Sequence, residues 1–83
     1  MNDTEIISLI QEALADVAPN RTAEFADITT ETSIESLGLD SIATMEMVGF
    51  LEERVDKTFP DEELTQVTRV SHLANLVRTG RAN

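Results

Sequence analysis

The hydroxyl of Ser41 has the best claim to chemistry in this chain. It sits in the stretch Ser36-Leu37-Gly38-Leu39-Asp40-Ser41-Ile42-Ala43-Thr44-Met45-Glu46-Met47. A helix-poor connection ends at Gly38, and the cleanest helical pattern of the sequence begins at Ser41. Asp40 is a good N-cap, because its carboxylate can accept from the free backbone N–H groups of the next turn. Ser41 then falls in the first turn, with its hydroxyl near the positive end of the helix dipole. That place suits a group that must carry negative charge, such as a phosphate ester. An ordinary capped helix whose serine does nothing further has the same local sequence, so the rest of the chain must separate the two readings.

Catalysis by the chain's own groups is poorly supported. A nucleophilic serine needs a base, and His72 is the one histidine. It belongs to a different predicted helix, and Ser41 lacks the glycine setting of a G-x-S-x-G elbow. The three glycines are isolated, so no phosphate-cradling loop exists. With no cysteine and one histidine, a zinc, haem or iron–sulfur site is excluded in practice. The run Asp56–Glu63 is acidic but lacks the glycine and alternating ligands of a calcium loop. Glu52 and Glu53 are adjacent carboxylates with no cleft to share. If such a chain takes part in chemistry, the reactive group must be added to it.

The totals point the same way. The 83 residues predict one domain, residues 1–83, with an ordered core over about 3–79. Hydrophobic residues make up 41% and aromatic ones 4%, enough for a core but not for a deep pocket as well. No basic segment followed by an apolar run opens the chain, and no stretch approaches the ~20 apolar residues of a membrane span. The expectation is a cytoplasmic monomer. The net charge of −10 is uneven: residues 1–39 carry −7, residues 40–63 carry −6 and residues 64–83 carry +3. Such a chain repels phosphate backbones, which makes nucleic acid a poor partner and basic protein surfaces better ones.

Four helices can position the serine. Apolar residues from Ile6 to Val17 recur at helical spacing, with Asn2 or Asp3 as cap, and predict a helix over about 3–17. Pro19 ends it. Residues 18–37 read as a long turn-rich connection, tethered to the core by Phe25, Ile28, Ile34 and Leu37. Gly38 supplies a backbone conformation that other residues resist.

The second helix runs over about 41–55. At ~100° per residue, Thr44, Val48, Leu51 and Val55 share its core stripe, with Met47 beside it. Ile42, Glu46, Gly49 and Glu53 fall opposite, flanked by Met45, Glu52 and Asp56. Ile42 and Met45 are thus apolar residues off the core face and ringed by acids, as a docking site for a transient partner would be. Gly49 costs the helix up to ~1 kcal/mol relative to alanine, for no reason visible in the sequence. Phe59 reads as a core anchor, and a short helix follows Pro60 and Asp61. Thr68 is the expected cap of a last helix over about 69–79, closed by Gly80, with His72 on its outer side and without a role. The fold class is therefore all-α: a small four-helix bundle, three longer helices and one short, with a long loop between the first two.

Leu37-Gly38-Leu39-Asp40-Ser41-Ile42 resembles the attachment motif of acyl carrier proteins. The resemblance continues through Met45-Glu46-Met47-Val48, Leu51-Glu52-Glu53, Phe59-Pro60-Asp61-Glu62-Glu63 and the last apolar helix, and is weakest over residues 1–30. It implies phosphopantetheine esterified to Ser41, donated from coenzyme A by a magnesium-dependent phosphopantetheinyl transferase. The serine is then a tether, and the thiol at the end of the arm carries acyl groups as thioesters for enzymes of fatty-acid, polyketide or related biosynthesis. By the same resemblance, Asp40, Ile42, Met45, Glu46, Glu52 and Glu53 fall where the transferase and partner enzymes bind. Thr44, Met47, Val48, Leu51, Phe59, Val67 and Leu73 fall where an acyl chain can tuck between helices. Ala43 and Gly49 depart from the usual pattern of fatty-acid carriers and thin the docking surface. A D-alanyl or other aminoacyl carrier, a peptidyl carrier and a non-covalent acidic helical module remain as alternatives.

Overall fold

The structure, a computed structural model, describes residues 2–82, and the side chains of residues 2–80. Its first helix, α1, spans Asp3–Val17. Asn2 caps it: the Asn2 amide oxygen accepts from the Glu5 N–H at 2.8 Å, and the Glu5 carboxylate accepts from the Asn2 N–H at 3.1 Å. This reciprocal pair satisfies two groups that the first turn leaves open. Ile6, Leu9, Ile10, Ala13 and Leu14 form the buried stripe.

The connection after α1 is more structured than its composition suggests. It contains 3₁₀ segments at Pro19–Phe25 and Glu35–Leu37, too short to leave a readable period. Phe25 and Leu37 are buried as expected, while Ile28 and Ile34 pack half-buried against the core. The stretch between the 3₁₀ segments is fastened to the start of the last helix. Ile34 N–H donates to the Thr68 carbonyl at 2.9 Å, Val70 N–H to Thr32 at 2.9 Å and Ser71 N–H to Thr30 at 2.8 Å.

Helix α2 spans Ser41–Val55 behind the cap Asp40. Met47, Val48 and Leu51 are buried from it; Thr44 and Val55, on the same predicted stripe, are half-buried. Asp56 turns the chain in the left-handed region at φ 53°. Two residues, β1 (Lys57–Thr58), then pair antiparallel with β2 (Arg81–Ala82). No strand is expected from the sequence, and a pair this short carries too little alternation to announce itself. One turn of helix, α3, covers Asp61–Leu64, and α4 covers Val70–Thr79.

The start of α4 differs from expectation in two respects. The N-cap position is Arg69, and the Thr68 hydroxyl does not cap the helix. His72 does so from inside the first turn: its Nδ1 accepts from the Thr68 N–H at 3.0 Å and the Arg69 N–H at 3.2 Å. Accepting from two N–H groups requires an unprotonated Nδ1, which places the neutral ring's proton on Nε2. His72 is exposed, as read from the pattern, but it has a structural role that the pattern does not reveal.

Helices α1, α2 and α4 close on one cluster, in which Ile6, Ile10, Leu14, Met47, Leu51, Phe59, Val70 and Leu73 are the largest fully buried side chains. Burying each large aliphatic or aromatic side chain contributes about 1.5–3 kcal/mol. Among the described residues no polar side chain is buried. The result is the expected small helical bundle with a long connection after its first helix.

Candidate functional site

Asp40 sits in extended backbone, and its Oδ1 accepts from the Ala43 N–H at 2.7 Å. Its carbonyl oxygen accepts from the Thr44 N–H at 2.9 Å and the Thr44 hydroxyl at 2.8 Å. These three bonds start α2 and place Ser41 at its first position. Ser41 is exposed, and its hydroxyl makes no hydrogen bond to the described residues. The remaining first-turn N–H groups, those of Ser41 and Ile42, also have no acceptor among the described residues. No acid other than the cap lies in that turn. An anion bound to the serine would therefore face free donors and the positive end of a 15-residue helix.

The face below Ser41 is as the spacing predicts. Ile42 is 73% exposed and Met45 61%, the large apolar side chains most open to solvent among those described. Glu46 and Glu53 are exposed beside them. Glu52 is half-buried, and its Oε2 accepts from the Phe59 N–H at 2.8 Å. One of the acids that the resemblance assigns to partners thus also fastens the chain after α2 to the helix. Gly49 lies open in the middle of this face, with nothing within 4 Å of where a Cβ would be.

An apolar cavity of about 90 Å³ opens behind α2, between it and α4. Thr44, Met47, Val48, Val67 and Leu73 line it, together with Ile34, Met45 and Leu64. Leu51 and Phe59, also placed there by the resemblance, are buried in the core and do not line it. The three additional residues lie on three separate segments, and only the fold brings them together. Met45 stands both at the cavity wall and on the exposed face, so its side chain spans the rim. An engineered cavity of about 150 Å³ holds benzene, so this one is small.

A larger depression, about 540 Å³, lies at the far end of α2, lined by Leu9, Arg54, Val55, Lys57, Val77 and Arg78. Its cations are already engaged. Arg54 pairs with Glu12 and Arg78 with Asp3, while Lys57 donates to the carbonyls of Val77 and Arg78. It is roughly 20 Å from Ser41 along the helix and plays no part in the site.

The fold and the site together define a small helical bundle that presents an exposed serine, unbonded among the described residues, at the head of one of its long helices. The family model for the phosphopantetheine attachment site matches residues 4–77, and the chain belongs to that family. It is similar to the acyl carrier protein of Rickettsia bellii (strain RML369-C), 25% identical over 76 residues that cover 90% of this chain and 88% of that protein. Phosphopantetheine, covalently attached, is accordingly its cofactor. The residues present fit that group: Ser41 offers an accessible oxygen, and the first turn of α2 offers unpaired donors for a phosphodiester. Among the described residues no helix is long and apolar enough to cross a membrane, and no cluster of metal-ligating side chains occurs.

Proposed function

We propose that the chain is an acyl carrier protein whose Ser41 bears the phosphopantetheine. The observation that carries this reading is the exposed, unbonded Ser41 hydroxyl at the head of α2, in the attachment motif of a chain that belongs to the family. The arm, when bound, supplies a thiol that holds acyl groups as thioesters. The protein's own residues present and orient it. Asp40 fixes the helix start. The Ser41 oxygen loses its proton and bonds to the phosphorus of coenzyme A that bears the pantetheine, while the P–O bond of the pyrophosphate breaks and adenosine 3′,5′-bisphosphate leaves with the electron pair. The free N–H groups of Ser41 and Ile42 and the helix dipole offset the charge of the phosphodiester. Ile42 and Met45, within the rim of Glu46, Glu52 and Glu53, dock a phosphopantetheinyl transferase and then the acyl-processing enzymes through their basic surfaces. Such steering raises encounter rates by roughly 10–10³-fold and weakens with salt. The protein acts as a cytoplasmic monomer and as a substrate of the transferase, not as an enzyme. One carrier domain accounts for the chain.

The size of the cavity behind α2 favours a second reading of the cargo. At about 90 Å³ it accommodates a small group without rearrangement, which suits an aminoacyl cargo, such as D-alanyl, or a short acyl chain. Longer chains require Met45 or Leu64 to move.

The deciding experiment is to incubate the purified protein with coenzyme A, magnesium and a broad-specificity transferase. The expected result is a mass gain of one phosphopantetheine, absent from Ser41→Ala. Modification of Ser8, Ser33, Ser36 or Ser71 instead would refute the assignment. An intact mass of the protein from its own cell would identify the cargo.

A further inference from the structure

The turn that delivers the chain to Ser41 is held by a residue far upstream of it. Arg21 lies in the 3₁₀ segment Pro19–Phe25, where the backbone departs from helical geometry at φ −121°, ψ 16°. It is the only lysine or arginine before residue 54. Its Nη2 donates to the Leu37 carbonyl at 2.7 Å, and its Nη1 to the Gly38 carbonyl at 3.2 Å. Nε and Nη2 also donate to the two oxygens of Glu24, at 3.0 and 3.1 Å. The guanidinium lies 5.3 Å from the ring centroid of Phe25, itself a core residue. The fork is thus oriented by an acid and an aromatic ring before it reaches the turn.

The turn is shaped to receive it. Gly38 has φ +69°, which glycine adopts far more readily than other residues. A Cβ there would also stand 3.0 Å from Nη2. Leu37 ends the 3₁₀ turn Glu35–Leu37 and Gly38 caps it, so both carbonyls would otherwise lack partners within the turn. Two residues beyond Gly38, Asp40 begins the cap that sets Ser41.

We propose that Arg21 is a positioning residue for the modification of Ser41: its planar fork clamps the Leu37 and Gly38 carbonyls and so fixes where α2 begins. This rests on Ser41 being the attachment point. Without the clamp, Gly38 regains its backbone freedom and the turn spreads over several conformations. A transferase that binds one of them sees only the competent fraction, and its apparent affinity falls by that fraction. The chemical step, once the competent form is bound, does not change. Charge works in the opposite direction. Removing a cation makes the chain more negative and strengthens its attraction to a basic enzyme. A rise in KM therefore reports the clamp and not the charge.

The test measures transferase loading of the full chain with coenzyme A and magnesium, in the wild type, Arg21→Ala and Arg21→Lys. Arg21→Ala is expected to raise KM about fivefold with kcat unchanged. Arg21→Lys keeps the charge but recovers only part of the loss, because an ammonium cannot span both carbonyls as the fork does. Amide hydrogen exchange, which needs no transferase, should quicken at residues 38–43 and stay unchanged in the middle of α1 and α4. An unchanged KM with unchanged exchange overturns the clamp, as does acceleration spread evenly over the fold. If the wild type itself fails to load at Ser41, the attachment reading falls, and the exchange data separately confirm or refute a clamped turn.

Discussion

Helices α2 and α4 begin in opposite ways, and the difference explains why only one of them can serve as a platform. At α4 the protein satisfies its own donors: Val70 and Ser71 give their N–H groups to Thr32 and Thr30, while His72 takes those of Thr68 and Arg69. The connection from α1 lies across that end and closes it. At α2 the cap reaches forward only as far as Ala43 and Thr44, so the donors of Ser41 and Ile42 stay open to solvent. Both starts lie on helices of the same core. One is sealed to hold the connection in place, and the other keeps two donors without acceptors among the described residues, beside the serine proposed to bear the arm.

Removing each cap should separate the two roles. Asp40→Ala is expected to cost about 1–2 kcal/mol of stability and to slow loading of Ser41, measured by urea unfolding and by transferase kinetics. Asp40→Asn, an equally good cap, should restore the stability and so reveal whether the charge matters to the transferase. His72→Ala leaves two N–H groups at the other helix without their acceptor. It should cost about 1 kcal/mol and leave loading unchanged. If His72→Ala slowed loading as much as Asp40→Ala, the two helix starts would not be independent.

The two starts also differ in how far they can be read from sequence. α2 runs Ser41–Val55 and α1 Asp3–Val17, as the pattern predicts, because their caps are neighbours in the chain and Pro19 marks a stop. Ile42 and Met45 stand out as exposed because helical periodicity alone removes them from the core stripe. The cap of α4 is misread because Thr68 has the right chemistry in the right place, whereas the real acceptor is His72 reaching back. The Thr30, Thr32 and Ile34 bonds to that helix, and the reach of Arg21 to Leu37 and Gly38, join positions remote in sequence, and no local signal encodes them. The cavity is half legible for the same reason: Thr44, Met47 and Val48 follow from periodicity, but periodicity sets Met45 off the core face, and Ile34 and Leu64 arrive through tertiary packing.

Gly49 sharpens the contrast within α2 itself. A glycine inside a helix normally reflects crowding or unusual backbone, and here there is neither, since the space beyond it is empty and its φ is helical. Nothing in the chain's own packing explains it. Gly49→Ala should therefore stabilise the protein by about 0.5–1 kcal/mol, seen as a higher melting temperature. If partner enzymes approach the backbone there, the same variant should weaken their binding despite the firmer helix. Stabilisation with unchanged docking would confine the working surface to the turns nearest Ser41.

The smallest effect expected is on the turn ahead of α2, through acid. The hydrogen bond from Arg21 holds the Glu24 carboxyl below its ordinary range, and the same bond raises Arg21. A carboxyl lowered by folding contributes stability that is fully present above its unfolded value of 4.5 and is lost as the pH falls through the lower folded value. Neutral Glu24 no longer orients the guanidinium as an ion pair, although Arg21 keeps its charge and its bonds to Leu37 and Gly38. The group is exposed, so global unfolding should register little of this. The local reading is amide exchange at Gly38 compared between pH 6 and pH 3.5, corrected for intrinsic rates. Glu24→Gln should show at pH 6 the exchange that the wild type reaches only in acid. Identical pH dependence in the two proteins would mean that Phe25 alone orients Arg21, and that the acid is incidental to the turn that presents Ser41.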